Sequence, residues 1–172
     1  VYNIAYKYFN LLVMAYTIMI SPLWNAYTDA YEKKEMLWIK KSFYWSVKIC
    51  LLLCCFGLVM LAISNWFYHV WIGDAVKVSL PISVGVLIYV CFYNLNNCAT
   101  SLLNGLNMIR VQLFTSIFVT LLYFVIVHYL GTNYGTVGIS LSMGSCYALM
   151  SVIHLYQCKI IINGKASGIW VK

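Results

Sequence analysis

Charge is what this sequence has least of. Only 9% of its 172 residues are Asp, Glu, Lys or Arg, against roughly a quarter in an average soluble domain. So little charge beside 63% hydrophobic residues excludes a soluble globular domain, a disordered tail and a nucleic-acid binder. Acidic residues are scarcest. Asp29, Glu32, Glu35 and Asp74 are the only four, and they read as solvated loop residues. No carboxylate is therefore expected at membrane depth to couple protons or sodium. No nucleophile–His–acid set, paired carboxylates or phosphate-binding loop can be assembled, so the chain is not expected to be an enzyme. His69, His128 and His154 are scattered singly and read as structural or interfacial.

Other absences narrow the class further. The seven cysteines all lie in or at the ends of apolar runs, where buried thiols are ordinary. They form neither a disulfide framework nor a C-x-x-C metal pattern, which excludes a secreted disulfide scaffold and leaves no metal or cofactor implied. No basic region precedes the first apolar stretch, as a signal peptide requires. Val1 stands where an initiator Met would, so a piece of a longer protein is expected.

What is abundant is uncharged length. Runs without Lys, Arg, Asp or Glu cover 8–28, 49–73, 78–109 and 111–158. A helix crossing the hydrocarbon core needs about 20 apolar residues, so the first three runs hold one crossing each. The last holds two, divided by the breaker GTNYGTVG at 131–138. The expectation is an all-α, polytopic membrane helix bundle of about five helices, near 2–27, 46–70, 80–104, 110–130 and 138–161. An interfacial segment at 29–44 carries Tyr31 and Trp38 among its charges. Pro22 falls near the far end of the first helix, and Pro81 suits the first turn of the third.

Orientation follows from the basic residues. Alternating loops place Lys33, Lys34, Lys40, Lys41 and Lys48 with Arg110, Lys159, Lys165 and Lys172 on one side, and only Lys7 and Lys77 on the other. The richer side is cytoplasmic by the positive-inside rule, which puts the C-terminus inside and Asp74 outside. Trp66, Phe67, Tyr68 and Trp71 fit the outer aromatic belt, Tyr44 and Trp45 the inner one.

Polar residues should mark faces turned away from lipid. In the first helix Asn3, Lys7, Asn10, Thr17 and Ser21 form a stripe. Asn94, Asn97, Ser101 and Asn104 repeat it in the third helix, and Ser140, Gly144, Tyr147, Ser151 and His154 in the fifth. The second helix lacks a stripe and is expected to be the most lipid-exposed. Such stripes serve either helix packing or a water-accessible cavity. Lys7 either snorkels to the headgroups or faces the cavity as a cation for an anionic ligand. Lys7, Asn10, Asn94 and Asn97 are the candidate substrate-binding residues.

Four strings carry a family resemblance: PLWNAYTDAY at 22–31 followed by WIKK at 38–41, VWIG at 70–73, LNGLNMIRVQ at 103–112, and INGKASGIW at 162–170. Their order and spacing resemble the C-terminal half of bacterial polysaccharide and O-antigen flippases, of the multidrug/oligosaccharidyl-lipid/polysaccharide exporter superfamily. The resemblance implies a two-lobe, alternating-access transporter in the bacterial inner membrane. It would move an undecaprenyl-pyrophosphate-linked oligosaccharide, and its partner would be a missing N-terminal lobe. Asn107-Met108 departs from relatives that often carry another basic residue there. A multidrug cation exporter of the same superfamily is the alternative. It would want acids or aromatic cages. A membrane-embedded glycan-assembly enzyme would want acids or histidines clustered near one face. A non-transporting assembly subunit is the fourth reading.

Overall fold

The computed structural model describes residues 1–73 and 77–170, so Asp74 and Lys172, which entered the topology above, lie outside the described residues. Four α-helices, α1 (Tyr2–Glu32), α2 (Met36–Ile72), α3 (Leu80–Gly105) and α4 (Arg110–Ile162), are followed by a 3-10 turn at Gly168–Trp170. There is no strand among the described residues. Each α-helix is long and apolar enough to cross a membrane, consistent with a multi-pass membrane protein.

The first two helices run further than expected. No glycine occurs before Gly57, and the Lys and Glu of the charged segment are good helix formers. Pro22 lies inside α1, which continues ten residues beyond it. The segment 29–44 is not a separate interfacial helix. Its start completes α1 and its end opens α2. Between them lies a turn at Lys33–Glu35, where Lys34 adopts φ 59° and the Glu35 N–H donates to the Ala30 carbonyl at 2.8 Å. Along α2, exposed Trp45 and exposed Trp66 are separated by 21 residues, about 30 Å of helix. That matches the hydrocarbon core. Tyr68, expected at the same interface, is instead buried, its hydroxyl 3.1 Å from Ser83 Oγ.

Ser79 occupies the N-cap position of α3 without a side-chain capping bond, and Pro81 lies in the first turn. At the other end Gly105 lets α1 approach closely, since a Cβ there would lie 2.9 Å from the Trp24 carbonyl oxygen. α4 is not one straight rod. Gly135 takes φ 57°, ψ −133°, a conformation open almost only to glycine, and the chain doubles back there. Gly138 lies against the carbonyl of Leu130, and a Cβ on Gly131 would sit 3.7 Å from Ile139. Residues eight apart in a straight helix would be about 12 Å apart. The break expected over 131–138 is thus one residue wide, with helical backbone running up to it and away from it.

α3 is the central helix, packed against α1, α2 and α4, and its most apolar stretch is the most buried of the four. The most apolar stretch of α4 is buried less than that of α2, although over its whole length α2 has the smaller share of buried residues, eight of 37 against 14 of 53. The core divides between the two ends. At one end Met36, Ile39, Leu106, Met108, Ile161 and Ala166 share a cluster. This gathers the turns bearing Lys33, Lys34 and Arg110 beside the C-terminal segment with Lys159 and Lys165. At the other end Tyr2, Ile4, Tyr68, Val78, Ile82 and Val137 come together, next to Lys7 and Lys77.

Candidate functional site

Each face of α3 has a different neighbour. Asn94, 2% exposed, turns to α1 and donates to the Leu12 carbonyl at 3.4 Å. Cys98 turns to α2, 3.0 Å from Ser46 Oγ. Asn96 turns to the second arm of α4 (136–162) and meets His154 at 2.8 Å. Helical spacing lines up the remaining face from Tyr89 through Tyr93, Asn97 and Thr100 to Asn104, all half-buried. This face is the floor of a cleft.

The walls are α1 and the first arm of α4 (110–134). Thr17, Ser21 and Trp24 of α1 face Asn97, Ser101 and Asn104 across a cavity of about 220 Å³. On the opposite side Asn104 also borders a cavity of about 320 Å³ with Ile109, Gln112, Leu113 and Ser116. A third cavity, of about 260 Å³, lies between α3 and both arms of α4, lined by Tyr89, Thr120, Tyr123, Met143, Cys146 and Tyr147 among others. That third cavity also shows the two arms of α4 lying side by side. No charged side chain lines any of the three.

The cleft has two chemical halves. Toward Lys7 it is phenolic. Tyr89, Tyr93 and Tyr147 pack with ring centroids 5.2–5.9 Å apart, and Tyr6 reaches Tyr89 at 6.3 Å. Toward the basic turns it is built of amides and hydroxyls, and Ser101 Oγ and Gln112 Oε1 are buried there without a hydrogen-bond partner.

The four expected binding residues part company. Asn97 is on the cleft floor. Asn10, half-buried, shares the α1 face of Tyr6 and Thr17 by helical spacing. Lys7 is exposed at the edge of that face. Asn94 is not available to a ligand, because its side chain is enclosed between α1 and α3. Apart from Tyr147, which lines the third cavity, the stripe on the second arm of α4 is helix packing. Ser151 donates to the Phe92 carbonyl at 3.0 Å, and a Cβ on Gly144 would lie 3.1 Å from Ile88. Sequence reasoning missed Tyr89 and Tyr93, although they continue the Asn97 stripe at steps of four and a tyrosine, Tyr147, stands in the stripe of the fifth helix. Gln112 and Thr100 were missed too, and Asn96 falls off the stripe altogether.

Among the described residues, no group of three or more His, Cys, Asp or Glu side chains is placed to hold a metal ion. Compared with family models, curated proteins and solved structures, the chain matches none.

Proposed function

We propose that this chain is the C-terminal lobe of a two-lobe transporter that flips a lipid-linked oligosaccharide across the bacterial inner membrane. α4 counts as two crossings, which makes five, and the basic end faces the cytoplasm with the C-terminus. The observation that carries the reading is the cleft: an uncharged wall of amides, hydroxyls and phenols that borders three cavities. Polar side chains at membrane depth are costly unless they meet water, protein or a polar ligand. A glycan passing between two lobes would meet them, while its polyprenyl tail stayed in lipid. In this reading Lys7, exposed at the edge of the cleft, is the counter-charge for a pyrophosphate.

The tyrosine group favours a second reading, a cation exporter of the same superfamily, since phenol faces attract cations. The discriminating experiment is complementation. The full-length protein should restore surface glycan in a flippase-null cell, and Asn97→Leu should impair that restoration. Cation resistance without glycan export would select the second reading.

A further inference from the structure

The cavity between α1 and α3 has more hydrogen-bonding capacity than the protein uses. The side chains of Thr17, Ser21, Asn97 and Asn104 border it, and none has a hydrogen bond among the described residues. Ser101, 6% exposed, lines the same cavity with its Oγ unpartnered. A buried hydroxyl left without a partner is destabilising, because it has given up its hydrogen bonds to water without replacement.

Ligand classes can be sorted against this lining. A cation finds no carboxylate here, and an anion finds no Lys, Arg or His. An apolar ligand would strand Ser101 and both amides. A neutral ligand whose every polar group both donates and accepts satisfies hydroxyls and amides alike. Trp24, half exposed beside them, adds a flat apolar face suited to the C–H side of a ring. The volume, about 220 Å³, lies below the roughly 300 Å³ at which pockets for drug-sized ligands begin. One ring fits and an oligosaccharide does not. The neighbouring cavity shares Asn104 and holds the unpartnered Gln112 Oε1.

We infer that the α1–α3 cavity is a subsite for one neutral sugar ring, with Asn104 bridging to a second ring beside Gln112. This deepens the function proposed above and rests on it. The sugars are then read toward the basic end of the cleft and by uncharged groups, apart from any pyrophosphate near Lys7.

The test uses the full-length protein, otherwise cysteine-free, with Ser21→Cys, exposed on the α1 wall of the same cavity, as a near-isosteric reporter. Alkylation of that thiol is timed with a methyl hexoside panel, with inorganic pyrophosphate and with tetraphenylphosphonium. A neutral glycoside should slow alkylation several-fold while neither ion does. Adding Asn97→Leu or Asn104→Leu should weaken that protection about tenfold, the equivalent of roughly 1.4 kcal/mol or one good hydrogen bond. Protection by an ion alone, or by none of the probes, overturns the subsite. Glycan export assayed in parallel separates the two claims. Export without protection removes the subsite and keeps the transporter, whereas protection without export does the reverse.

Discussion

His154 Nδ1 and Asn96 Oδ1 lie 2.8 Å apart, both side chains buried where α3 meets the second arm of α4. An amide oxygen only accepts, so the imidazole Nδ1 carries the proton and donates it. The bond is therefore a specific clamp between two apolar helices. Asn96→Leu should strand the imidazole N–H at a cost of about 1–3 kcal/mol. In the double variant with His154→Leu the loss should fall short of the sum, with a coupling on the order of 1 kcal/mol. Denaturation in detergent of the two single variants and the double variant measures it. Strict additivity would mean that the pair contributes no bond.

Gly135 holds the fold-back of α4 at φ 57°, ψ −133°. Gly135→Ala should destabilise the protein by about 1–3 kcal/mol, since a Cβ opposes that backbone conformation. Gly131→Ala, whose Cβ would meet Ile139 at an ordinary 3.7 Å, is the control and should be close to neutral. Equal melting temperatures for the two variants would contradict a strained turn at Gly135.

Topology is set by the basic end. Reporter fusions after Lys41, Gln112 and Lys165 should read cytoplasmic, and a fusion at Asn133 external. An external reading at Lys165 would contradict the five-crossing count.

The cleft face of α1 should be wet. In the full-length cysteine-free protein, single cysteines at Asn10, Thr17 and Ser21 should react with a membrane-impermeant thiol reagent. A cysteine at Leu12, which is 3% exposed, should not. Equal labelling at all four positions would remove the cleft reading of α1.

Lys7 should matter as a charge. Lys7→Ala is expected to reduce glycan export roughly tenfold, a loss of about 1.4 kcal/mol. Lys7→Arg should retain most activity, because a pyrophosphate needs the positive charge more than a particular shape. A snorkelling lysine would give mild, equal losses in both variants.

The sequence by itself determined that this chain is helical and apolar enough for a membrane, because hydropathy and breakers are local properties. Four uncharged runs, Pro81 in the first turn of α3 and the glycines around Gly135 were enough. It also placed Asn97, Ser101 and Asn104 on one face of a helix, since angular spacing needs no neighbour. Tertiary structure alone decided what each face meets. Asn94 and Asn97 belong to one polar stripe in the sequence, yet Asn94 is closed off against Leu12 while Asn97 opens on a cavity. The physical reason is that periodicity gives the direction of a side chain from its own axis and says nothing about what lies there. Which polar groups pair, as His154 does with Asn96, and which stay unpartnered, as Ser101 does, depends on how four helices are set against one another.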